Sequence, residues 1–194
     1  MTAYTSWRSI DPILGIDFNQ TYPISQPVTA SATSAISNLE QSMFGYAGDA
    51  LGTVHDGPYD SRWILVKAST TITQYNVVCW DDSFNANNYT TAQGLSSYGI
   101  NMGLAQFTNY QGTTVTVADP ATNPVFWAAL VGTGMQVNVS GSAGTGVAIN
   151  NGTTPGSISI STTGSAVKGL VLYASATAGV VECSIRYMKG TSLY

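Results

Sequence analysis

Charged residues are scarce in this sequence, at 8% of the chain, and they form no cluster. Six basic side chains are scattered among ten acidic ones, so the net charge is −4. Nucleic acids and anionic membranes bind to basic clusters, and the scattered charges therefore exclude both as expected partners. The first nine residues lack the charged and apolar regions of a signal peptide, and no apolar run is long enough for a transmembrane helix.

Histidine and cysteine are almost absent, which limits metal binding and catalysis. The chain has one histidine, His55, and two cysteines, Cys79 and Cys183. A structural zinc site takes four ligands, and these residues are too few to supply them. We interpret Cys79 and Cys183 as buried free thiols, with a disulfide between them as the alternative, and His55 as a structural residue.

A phosphate-binding loop is excluded although the stretch Gly141–Gly146, GSAGTG, has the right glycine spacing. Val147 and Ala148 stand where such a loop needs its lysine and its metal-binding hydroxyl. The residues that follow have the pattern of a strand and a turn, so no helix N-terminus faces an anion. We expect this stretch to form an exposed turn between two strands.

A calcium loop is similarly incomplete in the stretch Asp81–Asn87. Oxygen-bearing side chains occur at every second position, but Ala86 and Ala92 replace the glycine and the glutamate that the loop requires. A hairpin loop tied by Asp and Asn side chains is the better interpretation. With no Gly-x-Ser-x-Gly motif either, we predict that the chain is not an enzyme and has no catalytic residue, cofactor or metal site.

The residues that are abundant favour β-structure. Hydrophobic residues make up 44% of the chain, and serine, threonine and glycine are frequent. After Leu51, nine short runs rich in β-branched and aromatic residues are separated by glycine, proline and asparagine turns, which is typical of an all-β domain. The runs are RWILVKAS (62–69), YNVVCWD (75–81), TTVTVAD (113–119), FWAALVG (126–132), MQVNVSG (135–141), GVAIN (146–150), SISIST (157–162), KGLVLYA (168–174) and VECSIRYM (181–188).

These runs predict a mainly β fold, an antiparallel β-barrel or sandwich of jelly-roll-like type. In residues 135–140, alternation places Met135, Val137 and Val139 in the core and the intervening polar residues outside. In residues 181–187, it places Val181, Cys183, Ile185 and Tyr187 on one face and Glu182, Ser184 and Arg186 on the other.

The first 50 residues differ from the rest and are predicted to form an extended N-terminal arm plus one short helix, followed by a β-barrel or sandwich domain at 51–194. Three prolines and the lack of a sustained period favour an extended segment over residues 1–30. Residues 34–47 have helical spacing, and Ser37 with Glu40 has capping-box spacing. The alternative for the arm is a strand of the main domain with a frayed end.

The arm is too apolar to remain in water, so we expect it to lie on a surface, either of this chain or of a partner. Its candidate contact residues, for a partner protein or a neighbouring subunit, are Trp7, Ile10, Ile13, Leu14, Ile16, Phe18 and Tyr22. If the arm is a docking device, removing residues 1–30 should leave the β-domain folded and abolish docking.

Between Leu51 and Arg186 the sequence resembles the phage capsid decoration, or cement, proteins. The resemblance lies in the order of four segments and in the types of residue that each contains. The segments are LGTVHDGPYDSRWILVKAS (51–69), TTITQYNVVCWDD (70–82), FWAALVGTGMQVNVSGSAGTGVAI (126–149) and VKGLVLYASATAGVVECSIR (167–186). The last segment is similar to the closing hairpin of that family, with Ala-Gly at its turn. The long N-terminal segment departs from the compact members.

The resemblance implies a structural virion protein, located on the outer capsid surface and made in the host cytoplasm. It implies binding to the major capsid protein of the same phage, bridging of neighbouring capsomers, and a homo-oligomer, with a trimer favoured. The alternative function is a receptor- or glycan-binding β-domain of a phage fibre or spike, in which exposed aromatic side chains would bind sugars.

Overall fold

A computed structural model describes residues 18, 21–22, 51–90, 101–107, 109–110, 113–114, 116–122, 124–145, 149–151, 154–160 and 167–190. These residues contain fifteen β-strands and no helix. The helix predicted at 34–47 lies outside them, as does most of the predicted arm. Within these ranges no helix is long and apolar enough to cross a membrane.

Most of the strands are short, and β11 and β15 are the longest of those described. They are β1 (Thr21–Tyr22), β2 (Val54–Gly57), β3 (Ser61–Ala68), β4 (Ile72–Thr73), β5 (Val77–Trp80), β6 (Asn85–Asn88), β7 (Met102–Ala105) and β8 (Asn109–Tyr110). They continue with β9 (Thr113–Thr114), β10 (Val117–Ala118), β11 (Val125–Ala143), β12 (Ile149–Asn151), β13 (Ile158–Ile160), β14 (Val167–Leu172) and β15 (Ala176–Gly190).

Strand β11 is the centre of an eleven-stranded sheet. It pairs with five strands, namely β1, β3, β7, β13 and β15. Two closed circuits of strand pairing share it: one runs through β15, β14, β12 and β13, and the other through β7, β5, β6 and β3. This mainly β, barrel-like architecture confirms the predicted fold class, although two pairs in the sheet, β3–β6 and β11–β13, are parallel.

The two runs FWAALVG and MQVNVSG, expected as separate strands, form one 19-residue strand. Between Gly132 and Met135 the pairing with β15 shifts its register, and Gly134 has a φ of 68°. Glycine adopts this positive φ without a steric penalty, so the strand bends at a bulge instead of ending in a turn. The strand also continues through Ala143, which places the first three residues of GSAGTG inside it.

The alternation predicted for residues 135–140 is confirmed. Met135, Val137 and Val139 are buried in the larger of two hydrophobic clusters. The polar residues between them are half-buried, because other segments cover this side of the strand. The Gln106 amide, for example, donates a 2.6 Å hydrogen bond to the carbonyl of Gln136 and accepts a 3.0 Å bond from its N–H.

Phe18 lies in the core of this chain, with none of its surface exposed. Its ring stacks on Trp63 with a centroid distance of 4.8 Å and meets Trp127 edge-on at 5.4 Å. A few residues later, Tyr22 of β1 pairs with Val125 of β11. Phe18 and β1 therefore contact the β-domain of this chain, while most of the predicted arm lies outside the described residues.

Cys79 and Cys183 are both free and buried in the larger cluster, as the sequence predicted. Burial disfavours the charged thiolate, and it raises the pKa of Cys79 from 9.0 to about 12. Burial, together with the nearby Glu182, also raises the pKa of Cys183. Both thiols are therefore protonated and unreactive at neutral pH.

We expect the free energy of unfolding to fall as the pH rises from 9 to 12. An unfolded cysteine loses its proton near pH 9, whereas folded Cys79 holds it until about pH 12, so the unfolded state gains stability over this interval. Urea unfolding at pH 7, 9 and 10.5 measures the decline, which should be smaller in Cys79→Ala. Equal declines in both proteins would contradict this assignment.

Candidate binding cleft

The hairpin formed by β2 and β3 presents Tyr59 and Asp60 at its turn. Strand β2 continues to Gly57, and the turn comprises residues 58–60. Tyr59 and Asp60 both have a φ of 57°, a left-handed conformation that is rare for a bulky residue such as tyrosine. In this conformation 56% of the surface of Tyr59 is exposed.

The hairpin formed by β14 and β15 presents Tyr187 at a bulge. The register of the two strands shifts between Lys168 and Leu170, where Gly169 has a φ of 82°. On the opposite strand Tyr187 has a φ of 45°, and it is 48% exposed while the next residue, Met188, is buried. The prediction that Tyr187 lies on the same face as Cys183 and Ile185 was therefore wrong, because the bulge shifts the alternation by one residue.

The same hairpin does not turn at Ala-Gly, as the resemblance implied. The turn comprises residues 173–175, and Gly179 lies within β15, where it pairs with Val139. Strand β15 is consequently longer than expected and spans Ala176–Gly190.

Val131 of β11 brings the two hairpins together. It pairs with Arg62 of β3 on one side and with Arg186 of β15 on the other. Two adjoining cavities of about 530 and 440 Å³ open at this point, and both are lined by Asp60, Val131 and Arg186. We call this concave surface the cleft and define it by Asp56, Tyr59, Asp60, Arg62, Arg186 and Tyr187.

Arg62 is held in the cleft by two hydrogen bonds. Its Nε donates to Oδ1 of Asp56 at 2.8 Å, and its Nη1 donates to the hydroxyl of Tyr187 at 2.9 Å. The hydrogen bond between Arg62 and Asp56 lowers the pKa of Asp56 and raises the pKa of Arg62. Both side chains are solvent-exposed, so the pair contributes little to stability and mainly fixes the position of the guanidinium.

Asp60 and Arg186 provide the remaining charged groups of the cleft. Both are exposed, and no described residue forms an ion pair or a side-chain hydrogen bond with either of them. The cleft thus combines two arginines, two aspartates and two exposed tyrosines. Such a surface can donate hydrogen bonds, accept them and pack against an apolar face.

The structure does not gather the contact residues predicted for the arm into a site. Trp7, Ile10, Ile13, Leu14 and Ile16 lie outside the described residues, and only the backbone of Tyr22 is described. Phe18 contacts Trp63 and Trp127 of this chain. No local sequence pattern indicates the cleft, because its defining residues come from two segments, 56–62 and 186–187, that are distant along the chain and meet only beside Val131 of β11.

The other candidate sites have structural roles. The carboxylate of Asp81 accepts hydrogen bonds from the N–H groups of Ser83 and Asn85, each at 2.9 Å, which confirms the predicted side-chain-tied loop. Burial opposes ionisation there, but these hydrogen bonds outweigh it and lower the pKa of Asp81. His55 packs edge-on against Trp127. Among the described residues, no group of three or more His, Cys, Asp or Glu side chains could hold a metal ion.

Comparison with known proteins found no match to this chain. No protein-family model matches the sequence, and the curated proteins and the solved structures contain no match either. The resemblance to capsid decoration proteins therefore remains a hypothesis drawn from the sequence.

Proposed function

We propose that this chain is a structural virion protein that binds the outer surface of an assembled phage capsid and stabilises it by bridging neighbouring capsomers. The sequence resemblance suggests this role, and the mainly β, charge-poor domain is compatible with it. The observation that carries the proposal is an exposed apolar surface on the outer side of the β14–β15 hairpin.

This surface, which we call the hairpin face, consists of Val171, Tyr173 and Val180. Their side chains are 57%, 38% and 47% exposed, respectively. Val171 pairs with Ser184, and the N–H of Tyr173 bonds to the carbonyl of Glu182, so Val180 follows on the same side of β15. Three large apolar side chains thus lie close together on the outside of one hairpin.

The hairpin face is better suited to contact with another protein than to exposure to water. Stable interfaces bury about 800 Å² on each partner, and their centres are depleted in charge and enriched in aromatic side chains. Each square ångström of apolar surface removed from water contributes about 25 cal/mol. Glu182 lies opposite Tyr173 on the same side of the hairpin, so the face is mixed, and we propose that its apolar area provides most of the binding.

Bridging requires a second contact, and the apolar residues of the N-terminal segment are the candidates for it. Trp7, Ile10, Ile13, Leu14 and Ile16 precede Phe18, which anchors the segment to the β-domain. With the hairpin face on one capsomer and this segment on the next or on a neighbouring subunit, opening of the shell has to break both contacts. In this role the chain needs no catalytic residue or cofactor, and it acts as a homo-oligomer on the outer surface of the virion.

Placing a charge on the hairpin face should weaken capsid attachment at least tenfold. Val180→Asp buries a carboxylate at the interface, and the cost of desolvating this unpaired charge opposes binding. Val54→Asp is the matched control, because Val54 is 45% exposed but lies on β2. Co-sedimentation of each purified protein with capsids of the source phage measures the bound copies per shell.

Two results would contradict the proposal. Wild-type protein that fails to sediment with the capsids would exclude the decoration role. Equal attachment of Val180→Asp and Val54→Asp would exclude the hairpin face as the docking surface. Thermal unfolding of both variants confirms that any loss of attachment is not a loss of folding.

A further inference from the structure

We propose that the cleft binds a neutral carbohydrate, an activity different from attachment through the hairpin face, although Val171 of that face also lines one of the two cavities. Three features of the cleft support this inference: its backbone strain, its balance of charged groups, and its exposed tyrosine rings. Each is independent of the resemblance to decoration proteins.

Backbone strain is concentrated in the cleft. In the described part of the chain, five non-glycine residues have a positive φ, and three of them, Tyr59, Asp60 and Tyr187, line the cleft. Such conformations are unfavourable for non-glycine residues and persist where the surrounding structure enforces them, most often at functional sites. These conformations place Tyr59 at a turn and Tyr187 at a bulge, and both side chains are exposed to solvent.

The charged groups favour a neutral ligand with hydroxyl groups. An anionic ligand would meet the carboxylates of Asp56 and Asp60, and a cationic ligand would meet the guanidinium groups of Arg62 and Arg186. A sugar hydroxyl both donates and accepts a hydrogen bond, so it can satisfy an aspartate and an arginine at once. Asp60 and Arg186, which pair with no described residue, are the available acceptor and donor.

The tyrosines provide the apolar part of the site. Tyr59 and Tyr187 are 56% and 48% exposed, and an aromatic ring can pack against the C–H face of a pyranose. Arg62 donates to the Tyr187 hydroxyl, which restrains the ring before a ligand arrives. The adjoining cavities of about 530 and 440 Å³ fall within the usual size range of small-ligand sites.

The test is binding of neutral and charged oligosaccharides to the full-length protein. Cellotriose, maltotriose and chitotriose serve as neutral probes, and 3′-sialyllactose and a heparin disaccharide as charged ones, with saturation-transfer NMR for detection and calorimetry for affinity. We expect at least one neutral probe to bind. Tyr187→Ala should weaken that binding at least tenfold because it removes the ring, and Asp60→Ala should weaken it because it removes the acceptor.

Tyr173→Ala is the matched control, since Tyr173 is an exposed tyrosine of the hairpin face and lies outside the cleft. It should leave sugar binding unchanged. If Tyr187→Ala does not fold, Asp60→Ala decides the question, because Asp60 is an exposed turn residue.

The proposal fails if no neutral probe binds, if only charged probes bind, or if neither cleft substitution weakens binding. Loss of capsid attachment in Tyr187→Ala, without any sugar binding in the wild type, would show that the cleft is a protein contact instead. Capsid attachment in Val180→Asp and sugar binding in Tyr187→Ala are separate measurements, so either proposal can fail while the other stands.

Discussion

Replacing Phe18 with alanine should lower the free energy of unfolding by about 3–5 kcal/mol. Phe18 is completely buried, and its ring contacts both Trp63 and Trp127, so its removal leaves a cavity between two rigid indole rings. For a domain of this size the loss corresponds to a decrease in melting temperature of roughly 10 °C. Chemical unfolding followed by tryptophan fluorescence measures the effect and reports on the same indoles.

Tyr173→Ala serves as the control for Phe18→Ala. It removes a partly exposed aromatic ring from the outer surface and should change the free energy of unfolding by less than about 0.5 kcal/mol. If Phe18→Ala costs less than about 1 kcal/mol, Phe18 does not fill the core in solution, and it becomes available as a contact residue for a partner.

The position of Phe18 also changes how the N-terminal arm should be tested. Deleting residues 1–30 removes Phe18 and β1, so a loss of capsid attachment could result from damage to the core. A deletion of residues 1–16 removes five of the seven predicted contact residues and keeps Phe18 in place. This shorter deletion separates docking by the arm from the stability of the domain.

Gly169→Ala should lower the free energy of unfolding by about 2–5 kcal/mol. A left-handed conformation costs a non-glycine residue about 1–2 kcal/mol. The added Cβ would also lie 2.5 Å from the carbonyl oxygen of Arg186, a backbone atom that can move only if β15 moves. Such overpacking adds about 1–3 kcal/mol.

Gly179→Ala is the matched control for Gly169→Ala. Gly179 also has a positive φ, of 101°, but nothing lies within 4 Å of an added Cβ. Its cost should therefore be limited to the backbone strain, about 1 kcal/mol after the gain from restricting the unfolded chain. Equal costs for the two substitutions, measured by urea unfolding, would show that the contact with Arg186 is unimportant.

Period-two alternation predicted the strands well wherever the pairing is regular. Met135, Val137 and Val139 are buried as expected, and so are Val181, Cys183 and Ile185. Residues 135–140 pair with β15 without interruption, and the register shift between Gly132 and Met135 adds its extra residue to β11, so the alternation of Val181, Cys183 and Ile185 on β15 is preserved.

The same reasoning fails at the bulges, and the cleft lies at one of them. Tyr187 follows a register shift that depends on Gly169, which is 18 positions earlier in the sequence and on another strand. The joining of two predicted strands into β11 depends on a bulge near Gly134 that local propensity does not encode. A site assembled across such irregularities is visible only once the long-range pairing is known.

The pairing of β11 has a consequence for the biogenesis of the protein. Its partners extend from Thr21 in β1 to Arg186 in β15, so they span most of the chain. While the ribosome is still making β14 and β15, β11 has exposed edges that resemble those of an aggregation-prone intermediate. The central sheet can close only after residue 186 has left the ribosome, and with so many non-local pairings it should then fold on a timescale on the order of milliseconds to seconds.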